Sequence, residues 1–155
     1  MNPLRKFLAS IFAQPKNDGR LPSHSAKEPA QNRLELEAGQ SWTYRDAPNA
    51  MSRVVIGRLD ELKGLGTVVS VCITNVPVKS PDPGSPEFFD VFHAPITEDV
   101  LVDSLLEKVG QEVTSPGFEE AYLDWRAWLA GGEAGVFTIS PAKVIGLYGR
   151  VPKRA

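Results

Sequence analysis

Apolar and polar positions alternate with period two along three stretches of the first half of the chain, residues 40–45, 52–59 and 67–78. Alternation of this kind marks half-buried strands. In the first stretch Trp42 and Tyr44 share one face, with Ser41, Thr43 and Arg45 on the other. The second is rich in Val54, Val55 and Ile56. The third is the strongest: Val69, Val71 and Ile73 point one way, and Val68, Ser70, Cys72 and Thr74 the other. That second face is chemically mixed, so only partial cover is expected for it. Asp46-Ala47-Pro48-Asn49 and Gly64-Leu65-Gly66 are turn sequences, and the three stretches read as an antiparallel meander.

Pro77, Pro81, Pro83 and Pro86 interrupt the pattern, because proline denies the sheet a ladder hydrogen bond. Phe88, Phe89, Val91 and Phe92 then predict an extended segment packed on the core. Beyond them the spacing turns helical. Pro95 to Asp99 predicts a helix start, with Thr97 as N-cap and Glu98 and Asp99 at the positive end of the dipole. Leu101, Leu105 and Val109, with Val102 and Leu106, give its buried stripe, and Gly110 its stop. Ser115-Pro116 opens a second helix burying Phe118, Ala121, Tyr122, Trp125 and Leu129, closed by Gly131-Gly132. Residues 136–139 predict a short strand, and Ser140-Pro141 a third helix reaching Tyr148. The order β-β-β-α-α-β-α predicts an α+β fold: an antiparallel meander of about three to five strands, with about three helices covering one face.

The first 33 residues differ. Leu4, Phe7, Leu8, Ile11 and Phe12 recur at i, i+3, i+4, i+7 and i+8, one apolar stripe of a helix over residues 1–13. Arg5 and Lys6 lie off the stripe. The pattern fits a helix that docks on a partner or on the body, an interfacial membrane helix, or a weak signal peptide. Residues 14–33 are polar and proline-containing, with Leu21 almost the only bulky apolar residue, and read as a flexible linker. A single domain is expected over residues 34–150, with a tail at 151–155.

Composition supports one ordinary globular body: 155 residues, 42% hydrophobic and 23% charged. Charge is unevenly placed. Residues 1–33 hold six bases against two acids, +4, and residues 34–155 hold eleven bases against seventeen acids, −6. An acidic body repels phosphate backbones, so no nucleic-acid partner is expected. No apolar run reaches the roughly 18 residues of a membrane-spanning helix. Cys72 is the one cysteine, which excludes an intrachain disulfide and suits a reducing compartment. The expected location is cytoplasmic, or peripheral at the inner membrane if residues 1–13 act as an anchor.

Certain short motifs resemble those of a group of small uncharacterised bacterial proteins. They are Gly39-Gln40-Ser41-Trp42-Thr43-Tyr44-Arg45, Val55-Ile56-Gly57-Arg58, Phe118-Glu119-Glu120-Ala121-Tyr122 with Trp125-Arg126, and Gly135-Val136-Phe137-Thr138-Ile139-Ser140. The resemblance spans residues 36–148. It implies a single α+β body of bacterial origin and carries over no activity, cofactor or site.

Candidate chemistry is sparse. Cys72 and His93 would make a thiol–imidazole pair only if the fold brought them together, and a mid-strand cysteine is a poor nucleophile position. His93 reads first as a loop histidine bonded to nearby backbone, and His24 as solvated. Glu98, Asp99 and Asp103 read as a solvated acidic face, and one cysteine with two distant histidines makes no zinc set. Neither Gly64-Leu65-Gly66 nor Gly131-Gly132 has the strand–helix setting of a phosphate loop. No metal or cofactor is expected. Trp125 belongs to a core stripe, while Trp128 at its edge suits an interface. The function expected is a non-catalytic protein-binding module, one version being an inhibitor or immunity-type protein with a basic partner. Its contact residues would be Leu4, Phe7, Leu8, Ile11, Phe12, Phe88, Phe89, His93 and Trp128, with the mixed face of the third strand. A peripheral membrane protein anchored by residues 1–13, or a small enzyme using Cys72 or His93, are the alternatives.

Overall fold

The three alternating stretches form consecutive antiparallel strands, and the phenylalanine-rich segment after the prolines adds a fourth. The computed structural model describes residues 34–79, 82 and 84–149. The stripe Leu4, Phe7, Leu8, Ile11 and Phe12, the linker at 14–33 and the tail at 151–155 lie outside the described residues. The elements are β1 (Gln40–Tyr44), β2 (Arg53–Leu62), β3 (Gly66–Val78), β4 (Glu87–Thr97), α1 (Glu98–Ser104), β5 (Leu105–Gln111), α2 (Phe118–Ala130) and α3 (Pro141–Gly149). The five strands form one sheet in the order β4-β3-β2-β1-β5, with every neighbouring pair antiparallel. The α+β class, the antiparallel sheet and the three helices are those the pattern predicts.

Local chemistry sets the turns. Asn49 Oδ1 accepts from the N–H groups of Met51 (2.9 Å) and Ser52 (2.8 Å), closing the connection from β1 to β2. Gly64, at φ 82°, turns the β2–β3 hairpin with a backbone conformation that side chains resist. Tyr44 hydroxyl and Ser52 Oγ are 2.6 Å apart, and Ser52 Oγ donates to Thr74 carbonyl at 2.7 Å, tying β1, the start of β2 and β3 together.

Strand alternation divides the core in two. Trp42, Tyr44, Val54, Ile56, Val69, Val71, Ile73, Val91 and Ile96 face one way and pack with Leu101 of α1, Phe137, and Val144 and Ile145 of α3. Val55, Val68 and Cys72 face the other way and pack with Phe118, Tyr122 and Trp125 of α2. The helices are therefore shared between both faces rather than gathered on one. The mixed face of β3 is covered: Val68, Ser70 and Cys72 are fully buried beneath α2. It cannot serve as the open contact surface its composition suggested.

Two segments depart from their periodicity. The helix begun at Glu98 ends at Ser104, and Leu105–Gln111 becomes an edge strand on β1, with Arg45 N–H donating to Ser104 carbonyl at 2.9 Å. The spacing of Leu101, Leu105 and Val109 fits a helix, but β1 would otherwise be an unpaired edge, and pairing outweighs propensity. Val109, placed on the predicted stripe, is 44% exposed as a result. Residues 136–139 make only an isolated parallel bridge, Ile96 with Phe137, using Phe137 N–H to Pro95 carbonyl (2.7 Å) and Thr97 N–H to Phe137 carbonyl (3.1 Å). Thr97 does occupy the N-cap position of α1, although its side chain makes no capping bond.

Candidate functional site: the β4 edge and the layer beneath α2

Irregularities of the ladder aim the polar side chains. Val71 faces Ala94 and Ile73 faces Val91, so β4 carries one extra residue across the same span of β3. A bulge of this kind re-aims a side chain. It lets Val91 and Ala94 keep the main core while His93 turns beneath α2. There the imidazole lies 5.1 Å from the Trp125 ring, 5.6 Å from Phe118 and 5.8 Å from Tyr122, centroid to centroid. Its Nε2 is 2.9 Å from Ser70 Oγ. Burial pulls the His93 pKa down to about 3, so the ring is neutral near pH 7.

The helix above is anchored by its own polar tips. Trp125 Nε1 donates to Gly135 carbonyl at 2.9 Å. Tyr122 hydroxyl donates to Asp60 at 3.0 Å, and Arg126 pairs with the same carboxylate at 3.0 Å. Arg58 lies 4.7 Å above the Tyr122 ring and pairs with Glu119. Burial chiefly, and the Asp60 carboxylate after it, push the Tyr122 hydroxyl pKa up. Between β2 and the start of α2, Gly57, Arg58, Asp60, Phe118 and Glu119 help line an open groove of about 360 Å³. Of its charged groups, Arg58 pairs with Glu119, and Asp60 is taken by Tyr122 and Arg126.

Cys72 belongs to a separate relay. Its Sγ donates to Ser115 Oγ at 3.0 Å, and Ser115 Oγ donates to Asp90 Oδ2 at 2.5 Å. Asp90 Oδ1 accepts from Asn75 N–H at 3.1 Å, and Asn75 sits in the left-handed region at φ 54°. Ser115 carbonyl in turn accepts from Phe118 N–H at 2.9 Å. The relay fastens the lead-in of α2 to β3 and β4. Burial first raises the Cys72 pKa, the Ser115 hydrogen bonds oppose it, and Asp90 and Glu112 add to the rise. A thiolate is disfavoured there, the reverse of what nucleophilic cysteines require.

The expected contact residues are scattered by the fold. Phe88 is 51% exposed on β4, and Phe92, 49% exposed, lies farther along the same strand. Phe89 points to the opposite face, half-buried, with its ring 6.5 Å from that of Tyr148. His93 is half-buried in the aromatic layer, and Trp128 half-buried on α2. The structure thus brings Phe88 and Phe92 to one sheet edge and withdraws His93 beneath a helix. Asp90, Ser115 and Ser70, which organise this region, carry no local sequence signal, since their side chains bond partners fifteen or more positions away. Among the described residues, no three His, Cys, Asp or Glu side chains converge in an arrangement able to hold a metal ion. Among the described residues, no helix is long and apolar enough to cross a membrane. Comparison with protein-family models, with curated proteins and with solved structures finds no match.

Proposed function

We propose that this chain is a non-catalytic protein-binding module that takes an extended, basic segment of a partner protein along β4. One observation carries the reading. β4 is an outer strand of the sheet, and among the described residues its outer side is bonded only near its end, through Pro95 and Thr97 to Phe137. Ahead of that point it offers unpaired backbone flanked by exposed Phe88 and Phe92. Strand addition at such an edge takes affinity from main-chain hydrogen bonds and specificity from alternate side chains. Charge favours a basic occupant, because the described residues hold 17 acids against 8 bases, a net of −9. The neutral states of buried Cys72 and half-buried His93 support binding over catalysis. An inhibitor or immunity-type protein acting on a basic partner is one form of this function.

The test is selection from a displayed library of short, unstructured peptides on the full chain, followed by NMR mapping of the binders. Enriched peptides should be basic, should shift the amides of Glu87 to Val91, and should bind more weakly as salt rises. Replacing Phe88 and Phe92 together by alanine should weaken binding about tenfold or more while leaving the fold intact, since both rings are exposed. Failure to enrich any peptide, or binders without charge preference that map away from β4, would overturn the proposal.

A further inference from the structure

The layer between α2 and the sheet has a property of its own, independent of what β4 binds. We propose that His93 is a proton-sensitive latch for α2: neutral, it completes the packing under the helix, and protonated, it releases the helix from the sheet. Geometry carries the argument. The β4 bulge seats the imidazole against Phe118, Tyr122 and Trp125, the three buried side chains by which α2 holds the sheet. From β3 it meets a neutral serine, Ser70, at 2.9 Å.

The charged groups bonded around this layer are occupied elsewhere. Asp90 on β4 accepts from Ser115 and Asn75, Asp60 on β2 accepts from Tyr122 and Arg126, and Glu119 on α2 pairs with Arg58. Cys72 on β3 is bonded to Ser115, and the remaining titratable group against the ring, Tyr122, directs its hydroxyl to Asp60. No carboxylate bonds the imidazole among these contacts. A proton arriving there places a charge among aromatic rings without a counter-ion, and the direction of the His93 pKa agrees with that cost.

The helix rests on the smaller of the two core clusters. Among the described residues, that cluster holds seven buried apolar side chains against seventeen on the opposite face. Gly117 precedes the helix, and Gly131 and Gly132 follow it. A small apolar contact between permissive joints defines a sub-global opening unit. Opening would present the Phe118, Tyr122 and Trp125 stripe to solvent in mild acid.

Amide hydrogen exchange on the full chain, corrected for intrinsic rates, tests the latch. Between pH 7 and pH 5 the opening of α2 should rise roughly 20-fold, for one imidazole of ordinary pKa in the open state, while the amides of β2 and β3 keep their protection. His93→Phe, which fills the site without titrating, should make α2 protection independent of pH. Should that variant fail to fold, NMR titration of the unaltered chain decides. It holds two histidines, and His24→Ala identifies the second signal. A His93 imidazole titrating near 6.5 or above in the folded chain would overturn the latch, showing that the rings accept the cation. Parallel loss of protection in α2 and the sheet would also overturn it, showing global unfolding instead.

Discussion

Replacing Gly57 by alanine measures how tightly α2 is pressed onto the sheet. Gly57 lies where β2 slips register against β3, between the pairs Ile56 with Val71 and Arg58 with Ser70. A Cβ at this position would stand 2.3 Å from Phe118 Cζ and 2.8 Å from Cε1 and Cε2. Phe118 is 3% exposed and opens α2, and its ring is packed between the helix and β2 at Gly57. Either the helix lifts or β2 bends. Overpacking of this kind costs about 1–3 kcal/mol. Against it stands the smaller entropy of the unfolded alanine chain, about 0.4–1 kcal/mol. The net effect is a loss of about 1–2 kcal/mol. Urea unfolding followed by circular dichroism would register it as a midpoint lower by about 0.5–1 M, with the slope unchanged. Phe118→Leu removes the ring atoms at fault, and in that background the alanine should cost nothing, giving a coupling equal to the clash. An unaltered midpoint, or a loss that persists without the Phe118 ring, would refute the reasoning.

Gly117→Ala provides the contrast: its Cβ would lie 2.6 Å from the Phe92 ring, but that ring is half exposed and swings aside, so stability should change by less than about 1 kcal/mol. Ser115→Ala strips a partner from both Cys72 and Asp90, and should cost about 1–3 kcal/mol in a thermal or urea melt. Val109→Glu should be tolerated within about 0.5 kcal/mol because Val109 sits exposed on β5, whereas Leu101→Ala, fully buried, should cost about 2–5 kcal/mol. If Leu105–Gln111 were helical, the two would be comparably damaging. Cys72 is fully buried with a raised pKa, so a disulfide reagent should label the native chain only as fast as it opens and the urea-unfolded chain at once; rapid native labelling would contradict its placement.

How much of this was legible in the sequence depended on the range of the interaction. Strand faces were legible, because side chains alternate with a fixed period whatever the partner. The split of Val69, Val71 and Ile73 from Val68, Ser70 and Cys72 is the split between the two core clusters. The buried stripe of α2 and the turn at Gly64 were legible for the same reason. The fate of Leu105–Gln111 was not, since its spacing suits a helix and only the open edge of β1 makes a strand the better solution. Nor was the contact surface: exposed Phe88 and half-buried Phe89 are identical neighbours in the sequence, and only the pleat of β4 against a covered sheet separates them.

The sequence by itself determined an acidic α+β body, its meander and the faces of its strands and helices, because those follow from local periodicity and charge. The tertiary structure alone decided which face each helix covers, where β5 pairs, and that His93 and Cys72 lie in separate hydrogen-bonded settings beneath α2. Those outcomes depend on one-residue bulges in β2 and β4 and on contacts between distant segments. No local pattern encodes the sum of packing, backbone pairing and desolvation that selects them.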